Sequence, residues 1–191
     1  MKKVTPLRKA AIHECGHALL YHLLGKDLEY LFAKPDGSGF CKAVSRLPIA
    51  FKNNDDSILY QELFNYGLIC FAGYTAEAML MFGNLDFEKA YTAGSPTEGE
   101  YPDNDFGNFR EQIDAMNRVV GNGLYNFEFF QTVSDAIFEL MMQRPMLEGL
   151  FALYEVLLKT KGNLLQGMSA HQILDNHILK GTGHQLYKKS E

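Results

Sequence analysis

The sequence lacks the features that mark secreted, membrane-spanning or disulfide-stapled proteins. Its three cysteines, Cys15, Cys41 and Cys70, show neither CxxC spacing nor a disulfide framework, and no apolar leader follows the basic pair near the start. We therefore expect reduced thiols and a cytoplasmic location. The longest apolar segment, from Ile58 to Phe82, is interrupted by two glutamates, a glutamine and an asparagine. It is too polar to be a transmembrane helix by default.

The charge balance also argues against polyanionic partners. The 18 basic and 23 acidic residues leave a net charge of −5, and there is no basic run. We therefore expect neither a nucleic-acid partner nor a membrane surface. With 191 residues, of which 47% are apolar and 21% charged, the chain can form a real core. We expect one domain over residues 1–191.

A metal-binding pattern lies near the start of the chain, where the residues from His13 to His17 read HECGH. The pattern falls in a segment, Pro6 to Leu24, whose apolar periodicity predicts a helix. Residues four apart on a helix share one face, about 6 Å along the axis, so both imidazoles can reach one ion. Zinc accepts such nitrogens. Glu14, about 100° round the helix, can reach a water beside the ion and act as a general base.

The alternative is a surface helix with two histidines and a salt-bridging glutamate. A HExxH arises by chance in about one chain of this composition in a hundred. We interpret Cys15, inside the motif, as a small buried residue rather than a nucleophile. Gly16 costs the helix about 1 kcal/mol relative to alanine, so either another backbone approaches there or the glycine is simply tolerated.

The fold class predicted is mainly α: a helical domain with one small β-hairpin and a zincin-like HExxH helix. The hairpin strands, Leu28 to Lys34 and Phe40 to Leu47, flank a Pro-Asp-Gly-Ser-Gly turn cluster. The free edge of the second strand could pair with an extended peptide beside the metal, or the hairpin could simply cover the core. The edge residues in question are Phe40, Cys41, Lys42, Ala43 and Val44.

Helical patterns fill most of the remaining chain. We expect Ser169 and Gln172 to form the capping box of the last helix, and we interpret His171, His177 and His184 as surface residues. The predicted helices are Ile58 to Phe82, Asp105 to about Val120, Phe127 to Gln143, Pro145 to Lys161 and Ser169 to Lys180.

The spacing of the residues leaves open the third zinc ligand and the partner of Glu77. A catalytic zinc usually takes three protein ligands, and neither Glu nor His follows His17 at the spacings of the commonest zinc peptidases. His22 lies on a different face of the same helix, so the third ligand must come from farther along the chain. Glu77, in apolar surroundings, needs a partner. That partner could be the free N–H of a metal-bound histidine, an arginine or a backbone amide.

The order of segments resembles the peptidase domain of the FtsH-type ATP-dependent zinc metalloproteases. Ala11 to Leu19, AIHECGHAL, is similar to that family's HEAGHAL helix, with Cys15 in place of alanine. The hairpin that ends at Leu47-Pro48 is also similar. Ala72 to Gly83, AGYTAEAMLMFG, resembles its GGRAAEELIFG segment, and Asp103 to Phe106, DNDF, resembles its SNDL segment.

The resemblance implies that Asp105 is the third zinc ligand, because the aspartate of the SNDL segment has that role in the family. A longer acidic loop, Gly94 to Asn104, replaces the family's TGASND run, so Asp103 competes for the role and Asp114 is a remote candidate. The chain has no GxxxxGK[ST] loop, no ATPase module and no membrane anchor. ATP-driven degradation is therefore not implied for this chain alone.

We expect a zinc-dependent peptidase in which His13, His17 and Asp105 hold Zn²⁺ and Glu14 is the general base. Its substrates would be peptides or unstructured protein segments, with a separate ATPase or a second copy of the chain as possible partners. The alternative is a non-catalytic metal-binding or protein-interaction module, whose pocket would be filled by Tyr101 or Phe106. A weaker option is a hydrolase of non-peptide amides.

Overall fold

A computed structural model describes residues 4–44, 56–82, 105–120 and 127–183. These residues are mainly helical and carry a small three-stranded antiparallel sheet, which confirms the predicted fold class. The elements in chain order are α1 (Pro6–Leu23), β1 (Leu28–Ala33), β2 (Gly39–Ala43), α2 (Asp56–Phe82), α3 (Asp105–Val120), α4 (Phe127–Met141), α5 (Arg144–Lys159), a 3-10 turn (Lys161–Asn163), β3 (Leu164–Gln166) and α6 (Gly167–Asp175).

Both ends of α1 are set by local chemistry. The Thr5 hydroxyl accepts a hydrogen bond from the Arg8 N–H at 3.3 Å, and proline follows at the first helical position. At the other end Gly25 has a φ of +69°, and its N–H donates to the His22 carbonyl at 3.0 Å. The Lys26 N–H donates to the Tyr21 carbonyl at 2.8 Å, which completes a Schellman motif. The predicted helix is therefore confirmed to within one residue.

Gly16 lets α2 approach α1 closely. A Cβ at Gly16 would lie 2.4 Å from the Ala72 carbonyl oxygen and 2.9 Å from the Ala76 Cβ. Of the two explanations for this glycine, the approach of another backbone is the one confirmed. Among the helices of the described ranges, including the long and largely buried α2, none has the length and apolar character needed to cross a membrane.

The sheet has one strand more than the sequence indicated. Its order is β2-β1-β3, with Leu31 of β1 paired to Cys41 on one side and to Leu165 on the other. The three residues of β3 are too few for an alternating pattern to be visible. The second strand ends at Ala43 rather than at Leu47, although residues 45–47 lie outside the described part.

The prediction for the last helix was wrong at both ends. The N-cap is Gln166 rather than Ser169, and the helix ends at Asp175 instead of Lys180. After Asp175 the backbone turns towards α1. The Ile178 carbonyl accepts from His22 Nε2 at 2.8 Å, and the Gly181 N–H donates to the His22 carbonyl at 3.0 Å. These tertiary hydrogen bonds take the place of further helical ones.

An aromatic cluster packs α3 and α4 against α2. Phe71 of α2 lies 4.6 Å from Phe106 and 4.9 Å from Phe130, and Phe109 lies 5.1 Å from Phe130, measured between ring centroids. All four side chains are buried. Because Phe106 is the second residue of α3, this packing fixes the start of that helix, where Asp105 lies.

Candidate metal centre

Three potential ligand atoms converge where α1 meets the first residue of α3. The Nε2 atoms of His13 and His17 are 3.0 Å apart, and Asp105 Oδ2 lies 3.1 Å from the first and 3.3 Å from the second. Ligands about 2.0–2.1 Å from a tetrahedral zinc stand about 3.3 Å from one another. The triangle is therefore close to the size that one such ion requires. Within the described residues, this is the group of three or more His, Cys, Asp or Glu that could hold a metal.

The donor set also fits zinc, which commonly combines imidazole nitrogens with a carboxylate oxygen. Burial lowers the pKa of His13, but hydrogen bonds to Asp105 and Glu77 outweigh it and raise the pKa to about 9. Burial raises the pKa of Asp105, but the hydrogen bonds and charges of His13 and His17 bring it well below its usual range. These opposite shifts mean that His13 and Asp105 favour each other's charged forms, so a cation that binds here must displace a proton.

Each imidazole is held by its other nitrogen. His13 Nδ1 donates to Glu77 Oε1 at 2.8 Å, and His17 Nδ1 donates to the Ile69 carbonyl at 2.8 Å. With Nδ1 occupied in both rings, the Nε2 atoms face the centre, as metal-binding histidines require. The partner of Glu77 that sequence reasoning left open is therefore the histidine.

Lys9 also binds Glu77, and sequence reasoning missed it. Its Nζ lies 2.8 Å from Glu77 Oε2, while 53% of its side chain is exposed to solvent. Lys9 precedes His13 by four residues and so lies on the same face of α1. That spacing was the signal that could have identified it.

Gly73 and Tyr74 enclose the ring of His13, and neither was singled out from the sequence. A Cβ at Gly73 would lie 2.4 Å from His13 Nε2, so only glycine leaves room for the imidazole. The Tyr74 ring meets the His13 ring edge to face, with centroids 5.0 Å apart and planes at 83°. Both residues belong to the segment that also carries Glu77.

Glu14 lies beside the triangle and against the start of β2. Its side chain is buried, and a Cβ at Gly39 would come within 2.8 Å of Glu14 Oε1. Burial raises the pKa of Glu14, although the charges of His17 and His13 act in the opposite direction. A carboxylate with a raised pKa is a better proton acceptor than an ordinary surface glutamate.

A cleft of about 640 Å³ opens onto the candidate centre. Phe106 does not line it: this side chain is 3% exposed and stacks on Tyr74, while Tyr101 lies outside the described residues. Asp103 lies outside them too, and Asp114 is exposed and does not line the cleft. The lining residues are Val4, Pro6, Lys9, Ala10, His13, Glu14, Gly37, Ser38, Gly39, Tyr74, Glu77 and Asp105.

The predicted peptide-binding edge lies at an edge of the sheet, as expected. β2 pairs with β1 on one side and, in the described residues, with no strand on the other. Phe40 and Val44, at the two ends of the edge, are 49% and 64% exposed. Gly39, the first residue of β2, lines the cleft, so the edge leads directly to the candidate centre.

A second histidine pair lies at the other end of α1. His22 is fully buried, and its Nδ1 lies 3.0 Å from Nδ1 of His171. His171 is half-buried, so its interpretation as a surface residue is only partly right, whereas His177 is exposed as predicted and His184 lies outside the described residues. Burial is the main cause that lowers the pKa of both rings, to about 4 for His171. No third ligand completes this pair among the described residues.

Comparison with protein-family models gives no match, and comparison with curated proteins gives none either. The resemblance to the FtsH-type peptidase domain therefore stays a prediction, based on the quoted segments.

Proposed function

We propose that this chain is a zinc-dependent peptidase. The observation that carries the proposal is the position of Asp105, which lies 92 residues after His13 and yet has its Oδ2 within 3.3 Å of both imidazoles. A surface helix with two histidines and a salt-bridging glutamate would have no need of this third group. The buried Glu14 beside the triangle favours a hydrolytic centre over a purely structural zinc site.

Each protein group has a defined task in this proposal. A bound zinc would supply Lewis acidity, which acidifies a water and polarises a carbonyl. Glu14 takes the proton from the attacking water and later passes it to the leaving amine. Glu77 and the Ile69 carbonyl keep the two imidazoles oriented. The free edge of β2 pairs with an extended peptide and leads its backbone past Glu14.

The open cleft and the strand edge favour extended substrates. We propose peptides and unstructured protein segments, because strand pairing needs a backbone that is free of its own hydrogen bonds. Folded substrates would need a separate ATPase, and a second copy of the chain is a further candidate partner. We propose a cytoplasmic location, consistent with the three free cysteines, and no role for nucleic acid or a membrane.

The test is metal analysis together with cleavage of an unstructured peptide by the wild type and by Glu14→Gln. We expect both proteins to bind about one equivalent of zinc. We also expect Glu14→Gln to lose about 10²–10⁴-fold in cleavage rate. The matched control is Glu139→Gln, an exposed glutamate of α4, which should cleave like the wild type. Equal cleavage by Glu14→Gln would remove Glu14 from the mechanism. Zinc binding by a wild type that does not cleave would favour the non-catalytic module.

A further inference from the structure

Tyr74 contacts one potential ligand of the candidate metal centre and the neighbour of another. Its ring meets His13 of α1 edge to face at 5.0 Å. The same ring stacks on Phe106 of α3, with centroids 4.5 Å apart and planes at 18°. Phe106 directly follows Asp105, the carboxylate ligand candidate. Tyr74 is therefore packed between one potential ligand, His13, and the residue that directly follows another, Asp105.

His13 needs this contact because its hydrogen bond constrains only part of its freedom. The bond from Nδ1 to Glu77 and the covalent bond at Cγ hold two neighbouring atoms of the ring, but the far side of the ring, which carries Nε2, can still tilt. Gly73 lies beneath the ring, and the Tyr74 ring closes one side of the slot. Removing the planar side chain of Tyr74 would therefore let Nε2 of His13 move away from the point where an ion must lie.

Asp105 depends on the same ring through its neighbour. As the first residue of α3, Asp105 is positioned by the way that helix begins. Phe106 anchors the beginning of α3 between the rings of Phe71, 4.6 Å away, and Tyr74, 4.5 Å away. Phe71 is fully buried, whereas Tyr74 lines the cleft.

We propose that Tyr74 is a positioning residue that keeps His13 and Asp105 at the separation one metal ion requires, a role that rests on the proposed zinc centre. The ring carries this role through its contacts with His13 and Phe106. The hydroxyl is not needed for it. In the segment similar to GGRAAEELIFG, Tyr74 stands where the family motif has arginine, so the role comes from this chain's own packing and not from the resemblance.

The experiment measures the zinc affinity of the full chain by competition with a chelator, and the visible absorption of the Co²⁺-loaded protein. Loss of a partner that orients a metal ligand typically costs about 10–100-fold in affinity, and we expect that loss for Tyr74→Leu. The Co²⁺ spectrum should change as well, because it reports the ligand geometry. Tyr74→Phe keeps the ring and should stay within about threefold of the wild type in zinc affinity.

The matched control is Tyr60→Leu. Tyr60 is another aromatic residue of α2, with its ring stacked on Phe64 at 6.0 Å and edge to face with Phe129 at 5.2 Å. The variant Tyr60→Leu loses two ring contacts of α2, but Tyr60 does not line the cleft, so zinc affinity should stay that of the wild type. If Tyr74→Leu does not fold, Tyr74→Met is measured in its place, since methionine fills irregular gaps.

Three results would overturn the proposal. The first is a folded Tyr74→Leu (or Tyr74→Met) with wild-type zinc affinity and Co²⁺ spectrum. The second is a Tyr74→Phe variant as weak as Tyr74→Leu, which would assign the role to the hydroxyl. The third is an equal loss in Tyr60→Leu, which would make the effect general to the packing of α2. A wild type that binds no zinc would instead overturn the proposed function itself.

Discussion

Two histidine pairs involve α1 and have nitrogens 3.0 Å apart. Their surroundings raise the pKa of His13 in the first pair but lower the pKa of both histidines in the second. His13 and His17, in the middle of α1, have Nε2 atoms 3.0 Å apart. His22, near the end of α1, has its Nδ1 3.0 Å from Nδ1 of His171. The two pairs differ in what meets their other nitrogens and in the charges nearby.

Carboxylates surround the first pair. Asp105 contacts both Nε2 atoms, and Glu77 accepts from His13 Nδ1. Their negative charge outweighs the effect of burial on His13 and raises its pKa to about 9. This environment favours a positive charge, whether a proton or a metal ion supplies it.

Backbone groups hydrogen-bond to the outer nitrogens of the second pair and fix both of its tautomers, while the exposed Asp175 carboxylate lies 3.6 Å from His22 Nε2. His22 Nε2 donates to the Ile178 carbonyl at 2.8 Å, so its Nδ1 is an acceptor. His171 Nε2 accepts the Leu28 N–H at 3.2 Å, so its Nδ1 carries the hydrogen and donates to His22. Both rings must be neutral for this chain of hydrogen bonds. The nearby charges of Asp27, Asp175 and Lys180 partly cancel, and burial lowers both pKa values.

The comparison indicates what distinguishes the candidate centre: a carboxylate faces both Nε2 atoms of the first pair, and no third ligand completes the second pair in the described residues. The most sensitive test of the difference between the two pairs is to make the same substitution in each. We expect His17→Asn to lower zinc affinity by at least about 10³-fold, because one of the groups that would bind zinc directly is lost. His171→Asn should bind zinc like the wild type. Chelator competition measures both, and equal losses would mean that the pairs do not differ as described.

The pH dependence of stability should separate the pairs in the metal-free protein. His13, with its pKa raised from 6.5 to about 9, stabilises the fold fully below about pH 6.5, and this contribution is lost as the pH rises to about 9. The pKa of His171 is lowered from 6.5 to about 4, so between these two pH values the unfolded chain binds more protons than the folded chain. The neutral state of His171 therefore stabilises the fold above about pH 6.5, and stability falls as the pH drops towards 4.

Urea unfolding with a chelator present, measured across this pH range, tests both halves. The free energy of unfolding of the wild type should fall by about 3 kcal/mol on the alkaline side, and His13→Asn should abolish this fall. His171→Asn should remove about 1–2 kcal/mol on the acid side, less than the full pKa difference because His171 is only half-buried and solvent screens it. His177→Asn, an exposed histidine, is the control. If both variants flattened the same side of the curve, the opposite environments would be contradicted.

Glu77→Gln tests how the carboxylates around the first pair contribute, and its effect on zinc affinity should be smaller. An amide accepts the His13 N–H more weakly than a carboxylate and leaves Lys9 without its ion pair, so we expect zinc affinity to fall by about 10–100-fold. Glu148→Gln is the matched control, because Glu148 lies 3.9 Å from His177 at an exposed position. An unchanged affinity in Glu77→Gln would show that orienting His13 through Nδ1 is unimportant.

The sequence was most informative where local chemistry decides the structure. Thr5, Pro6 and Gly25 delimit α1, and the predicted bounds of α3, Asp105–Val120, are those observed. The HExxH spacing identified His13, Glu14 and His17 because four residues are one helical turn. The role of Asp105 as the third ligand was predicted from the resemblance alone, because spacing cannot show which distant carboxylate lies near the two histidines.

Features that depend on distant partners could not be predicted from the sequence. α6 ends early because the backbone after Asp175 bonds to His22, which is far away along the chain. The partners of His171 lie in α1 and at the start of β1, far away along the chain. The sequence around His171 therefore gave no sign of these contacts. Tyr74 belongs to a recognisable segment, but its place between His13 and Phe106 arises only when three helices pack together.

The most direct test of the candidate centre is anomalous scattering at the zinc absorption edge from crystals of the chain grown with zinc. We expect one strong peak about 2 Å from Nε2 of His13, Nε2 of His17 and an Asp105 carboxylate oxygen, and no peak between His22 and His171. A peak at the second pair, or no peak within bonding distance of His13 and His17, would contradict the assignment of the metal centre.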